Sequence, residues 1–201
     1  SDELKKDLGQ ELRIFFKTPN LYSSRLNITG KLDHSIYLIK NIFNKSETLN
    51  IDINFQNLSK IARVRKNALD KTYLEDAPYV NVNIIWKNQS FKARIKLKGT
   101  FSEHWLFSKQ WSFKVELEDG KTINGMSQFS ISKHVARQYP YYLPISQLQK
   151  KMNLLTPKYK DIHLKINNQS WGLMLMEEQP NDIFLELNEL PAGPTFRTTN
   201  M

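Results

Sequence analysis

The chain has 201 residues, 40% hydrophobic and 24% charged, the balance of a folded globular protein rather than a disordered tail. It contains no cysteine, which excludes disulfide frameworks, thiolate zinc sites, CxxC redox chemistry and a cysteine nucleophile. A net charge of +9 and a sequence pI near 9.6 point to an anionic partner: nucleotide phosphates, nucleic acid, a membrane surface or an acidic polymer.

In chain order, residues 2–16 read as a short amphipathic helix, with Leu4, Leu8, Leu12 and Phe15 or Phe16 on one face. Ser1-Asp2-Glu3 reads as a trimmed start and Arg197–Met201 as a trimmed end, which leaves room for a membrane anchor or signal outside this sequence. Residues 20–50 carry no clear period. Leu49, Ile51, Ile53 and Phe55 then alternate as the inward face of a strand. Asn57 is placed to cap a helix reaching about Lys71, with Leu58, Ile61, Ala62, Val64, Ala68 and Leu69 inward. Its opposite face, with Lys60, Arg63, Arg65 and Lys66, reads as solvated.

From residue 78 the period changes to two. Tyr79 to Trp86, the turn Lys87-Asn88-Gln89 and Ser90 to Leu97 make a hairpin. Trp111 to Leu117 and Met126 to Ser132 are further strands, with Asp119-Gly120 supplying a tight turn. Residues 135–153 read as helix, opened by Pro140 and well formed from Pro144 to Met152. Asp161 to Ile166, Asn167-Asn168-Gln169 and Trp171 to Met176 form a second hairpin, and Pro180 to Leu190 a last helix. The expected fold is α+β, an antiparallel sheet with packed helices. The change of period sets an extension over 1–77 apart from a sheet region over 78–178.

The segment from Lys96 to Lys109 is long for a connection between strands. Gly99, Thr100, Ser102 and His104 lie in it, with Lys98 and Lys109 at its edges. Glycine lets a backbone approach a phosphate, hydroxyls and amides donate to it, and ammonium groups neutralise it. The spacing is not that of a P-loop, and an ordinary loop pinned by Trp105 and Phe107 fits the same residues. Lys114 follows on the polar face of its strand, where a lysine can clamp phosphates or simply face water. Glu177 and Glu178 end the last strand; adjacent residues point to opposite sides, so one is expected at a site and the other on the surface. The four histidines lie too far apart for a local metal motif, and no metal ligand is assigned. The aromatics fall on the apolar side of the strands rather than among the lysines, which argues against nucleic acid.

Taken in order, Lys96-Leu-Lys-Gly99, Ser102-Glu-His-Trp105, Lys109-Gln-Trp-Ser-Phe-Lys-Val115, Asn124-Gly-Met126, Ile166-Asn-Asn-Gln-Ser-Trp-Gly172, Met176-Glu-Glu178 and Gly193-Pro194-Thr-Phe-Arg197 resemble the N-terminal part of the CotH kinase-like family, named for a spore-coat protein. The resemblance covers about residues 50–197. It implies a reduced protein-kinase-like fold, with residues 78–178 as the small lobe, and ATP-dependent phosphoryl transfer to protein hydroxyls with magnesium or another divalent metal. It implies that Lys98, Gly99, Ser102, His104, Lys109 and Lys114 surround the phosphates, that Glu177 to Pro180 form the hinge, and that 179–201 hold the hinge and the start of a truncated large lobe. A bacterial cell-envelope or extracytoplasmic setting is consistent with it.

Two departures stand out. The 135–153 helix has no glutamate to pair with the strand lysine, leaving Arg137, Gln147 or Gln149 in another role or the lysine held otherwise. The family's catalytic base and metal-binding aspartate would follow residue 201, so this stretch alone is expected to be inactive. The alternative is a non-catalytic extracytoplasmic module that binds an anionic surface polymer.

Overall fold

In the computed structural model, residues 47–137, 142–191 and 193 are described. The expected helix over 2–16, most of the 20–50 stretch and Pro194–Arg197 lie outside them. The first described element, β1 (Glu47–Asp52), carries the expected alternation: Leu49 and Ile51 are fully buried, and Ile53 follows them inward. Phe55 breaks the pattern. It is 82% exposed because the strand has already ended and α1 (Phe55–Lys71) begins there. The helix cap is Asn54 rather than Asn57, its side chain accepting from the Asn57 amide at 2.8 Å. Ile61 and Ala68 are the buried residues of α1, whereas Ala62 faces solvent.

Five of the next six strands follow the two-residue period closely. β2 (Val80–Trp86) and β3 (Gln89–Leu97) pair across a turn in which Lys87 and Asn88 both take positive φ, the geometry of a type I′ hairpin. β4 (Phe113–Leu117), β5 (Gln128–Ser132) and β6 (Tyr159–Ile166) keep apolar residues on the inner side. β7 (Gln169–Glu178) is buried from Trp171 to its end, so it reads as a continuous apolar run rather than an alternating one. Trp111, Phe113 and Trp171 meet inside, the two tryptophan rings edge to face at 5.1 Å. Among the described residues two further α-helices are short: α2 (Tyr142–Lys151) and α3 (Asp182–Leu187), the latter capped by Asn181.

The expected α+β sheet with packed helices, resembling a kinase small lobe, is not what these strands build. The sheet is a closed seven-stranded barrel in the order β1-β2-β3-β4-β5-β7-β6. The element responsible is β1. It pairs antiparallel with β2 from Leu49↔Trp86 to Asp52↔Asn83, and parallel with β6 from Glu47↔Ile162 to Ile51↔Ile166. Both edges of the β2-to-β6 sheet are thereby consumed, and an open lobe becomes a barrel with no free edge. Leu49, Ile51, Ile53, Ile61 and Ala77 belong to the same buried cluster as the strands of 78–178. The helix expected to cover the sheet does so little: Ile145, Leu148 and Met152 of the α2 segment are 54%, 58% and 60% exposed.

The closure has a polar latch. Asn167, in the β6–β7 turn, accepts from the Ile53 amide at 2.8 Å and donates to the Ile53 carbonyl at 2.9 Å. Its own amide reaches the Ile51 carbonyl at 2.9 Å, and the Asn168 amide reaches Asn50 Oδ1 at 3.0 Å. Asn167 and Asn168 both have positive φ, so the same pair makes the turn and ties it to β1. Asn167→Gly keeps the turn but removes two side-chain bonds, and is expected to lower unfolding free energy by about 1–3 kcal/mol. Asn88→Gly, in the exposed β2–β3 turn, is expected to change it by at most about 0.5 kcal/mol. Urea denaturation of the two variants checks this.

Candidate functional site

On the outer face of the barrel the register sets Lys96 opposite Lys114, Lys114 opposite Ser130 and Ser130 opposite Glu177. A polar row therefore runs across β3, β4, β5 and β7. Two lysines directly opposite each other repel, and each is given a carboxylate. Lys96 Nζ lies 2.6 Å from Asp76 and Lys114 Nζ 3.0 Å from Glu116. Just past the end of β3, Lys98 Nζ lies 3.9 Å from Glu177. Lys96, Lys98 and Lys114 line one open cavity of about 320 Å³ together with Gly99, Thr100, Gln179 and the 74–77 segment, whose Glu75 and Asp76 bring two carboxylates to the same lining.

Glu116 is the most heavily bonded carboxylate here. Tyr79 Oη donates to one oxygen, Arg94 Nε to the other at 2.7 Å, and Lys114 approaches the first. Burial acts to raise its pKa, but the hydrogen bonds from Tyr79, Lys114 and Arg94 outweigh that and hold it below the usual carboxylate range. The Tyr79 hydroxyl is pushed up, by burial first and then by its bond to Glu116. Arg94 and Lys114 thus share this one carboxylate. Because its folded pKa is depressed, the stabilisation from Glu116 is complete above the unfolded value of 4.5 and is lost as pH falls through the folded pKa. Glu116→Gln is expected to flatten the acid side of the stability–pH curve while leaving its slope above pH 6 unchanged, as read from denaturation midpoints between pH 2 and 7.

The 98–112 loop is a rigid wall. The Lys98 amide bonds the Ser112 carbonyl at 2.9 Å, and Trp105 Nε1 bonds the Gly99 carbonyl at 2.9 Å. Arg65 of α1 donates to the carbonyls of Trp105, Leu106 and Phe107 at 2.6, 2.8 and 2.9 Å and stacks on Trp111. The solvated reading of α1's basic face thus holds for Lys60, Arg63 and Lys66, which are exposed, but not for Arg65. The loop expected to be pinned by Trp105 and Phe107 is pinned from the neighbouring helix as well.

Of the residues singled out in the sequence, Lys98, Gly99 and Lys114 line the cavity, and Glu177 sits beside Lys98. Glu177 also accepts from Ser130 Oγ at 3.1 Å. Ser102, His104 and Lys109 do not line the cavity. The Ser102 carbonyl holds the 3₁₀ turn Ser102–His104 by accepting from the Trp105 and Leu106 amides. The His104 ring packs on Gly99, with Nδ1 3.0 Å from Ser112 Oγ. Lys109 Nζ reaches the Ser170 carbonyl at 3.1 Å, on the far side of the loop. Glu178, on the opposite side of β7 from Glu177, accepts from the Lys158 amide at 3.0 Å. Neither glutamate is a surface residue: they are 6% and 2% exposed, because β7 is covered on both faces.

Lys96, Asp76, Tyr79, Glu116 and Gln179 were not singled out. Lys96 was legible, since it shares the polar parity of Lys98 on β3; the others join through register and loop placement. Among the described residues no three His, Asp or Glu side chains gather into a metal-binding group. No protein-family model and no curated protein matches the chain.

Gly99 has φ +98°, and a Cβ there would stand 2.1 Å from the His104 ring. Gly99→Ala is expected to destabilise the fold by roughly 2 kcal/mol or more, from positive-φ strain plus displacement of His104. Thermal unfolding, with Gly120→Ala in its open turn as the milder control, measures it.

Proposed function

We propose that the three-lysine cavity binds the phosphates of a nucleoside triphosphate, and that this barrel is the nucleotide-binding part of an ATP-dependent phosphotransferase similar to the CotH kinase-like proteins. The observation that carries the reading is the convergence of Lys96, Lys98 and Lys114 on one cavity beside the backbone of Gly99 and Thr100. Ammonium groups gathered at one cavity supply charge and donors to a polyphosphate. The reading rests on this site and not on a shared fold.

The missing helix glutamate has a counterpart here. Glu177, delivered by β7, stands beside Lys98 and is itself oriented by Ser130. Glu177 thereby positions an ammonium at the cavity floor, the role a carboxylate plays beside a phosphate-binding strand lysine. In this reading Lys98 and Lys96 contact the phosphates, and Lys114 adds positive charge from within the Glu116 cluster. No step is assigned to a divalent metal, since the described carboxylates do not form a group for one. The transferred γ-phosphoryl and its protein hydroxyl acceptor belong to the reaction implied by the resemblance.

Calorimetry on the full chain with ATP and with inorganic tripolyphosphate tests the proposal. Lys96→Ala and Lys98→Ala are each expected to weaken binding about ten- to a hundredfold, the worth of a charge-assisted contact. Lys121→Ala, in the exposed β4–β5 connection, is expected to leave it within about twofold. Equal losses in all three variants, or none, would sink the proposal.

A further inference from the structure

Apart from the cavity, the least usual surface is the ridge formed by α2 and the residues after it. Helical spacing sets Ile145, Leu148 and Met152 on one side, and that side faces solvent. Leu154 and Leu155 extend it, 51% and 48% exposed. Among the described side chains of the helix the buried one, Ser146, is polar, while Ile145 and Leu148 face outward. Lys150 and Lys151, both exposed, end the helix along this ridge. The surrounding sequence is also one-signed: no Asp or Glu occurs between Asp119 and Asp161.

We infer that this ridge is a peripheral docking face for an anionic phospholipid bilayer. A contiguous exposed apolar strip marks an interaction surface. An outward row of Ile, Leu and Met bordered by lysines, in a stretch without carboxylates, matches the two layers such a helix meets, acyl chains beneath and anionic headgroups above. Helix α2 has ten residues, half the ~20 needed to cross a bilayer, so it lies in the interface rather than across it. The absence of acids along this stretch of sequence separates this partner from a second copy of the chain docked ridge to ridge, where like charges would meet. The inference is independent of the lysine cavity.

Co-sedimentation of the full chain with vesicles of phosphatidylcholine, with and without phosphatidylserine, tests it. Binding is expected with phosphatidylserine, weak or no binding with phosphatidylcholine alone, and loss of binding as salt rises. Leu148→Glu with Met152→Glu is expected to lower the bound fraction at least tenfold. Lys150→Glu with Lys151→Glu is expected to lower it by roughly fivefold per lysine or more. Lys98→Ala is expected to bind vesicles as the native chain does, and circular dichroism confirms that each variant is folded. The inference is overturned if the native chain ignores anionic vesicles at low salt, or if the Leu148/Met152 variant binds undiminished. It is equally overturned if light scattering shows a dimer that Leu148→Glu disperses while vesicles are left unbound, which would make the ridge a self-association surface.

Discussion

A sheet with two open edges must hide them, cover them or join them, because each edge presents a row of unpaired amides and carbonyls. Here β1 joins them. It lies between β2 and β6, antiparallel to one and parallel to the other, and the parallel partnership spans more than a hundred residues of chain. Such a pairing has a closure cost that local hairpins do not have. It is held by the inward burial of Leu49 and Ile51 and by the Asn167 latch onto Ile53. Once β1 is seated, every apolar strand face shares one interior, and the polar parity of β3, β4, β5 and β7 has only the outside left.

That outside position explains the site. In a closed barrel the inner face is filled by side chains, so polar residues on the opposite parity must gather on the exterior and neutralise one another. Lys96, Lys98 and Lys114 do this against Asp76, Glu177 and Glu116. The pairing leaves the three ammonium groups at the wall of one cavity. Helix α1 contributes at a distance. By clamping three carbonyls of the 98–112 loop, Arg65 fixes the wall that Gly99 and Thr100 present.

Much of the local structure was legible before any coordinates. The alternation in 79–97, 111–117, 126–132 and 161–176 corresponds to β2 through β7, and both asparagine-bearing turns lie where the pattern put them. The strand ending at Asp52 was extended to Phe55 because a two-residue period does not announce the cap that interrupts it. Arg65 was assigned to solvent because its helical position is that of a surface residue; the carbonyls that bind it come from a loop forty residues away. Lys109 and His104 were grouped with the phosphate site because they share a loop with Gly99. A loop does not preserve the direction of its side chains, and these two turn toward Ser170 and Ser112.

The sequence by itself determined the chemistry available: no thiol, an excess of cations, a glycine flanked by lysines and strands of known parity. It also determined the turns, because positive φ and small polar residues are local properties. Tertiary structure alone decided that the sheet closes, since which strand meets which edge depends on contacts across the whole chain rather than on any window within it. It also decided which of the lysines share a cavity. Register between strands fixes that, and register is set by the burial of the opposite face.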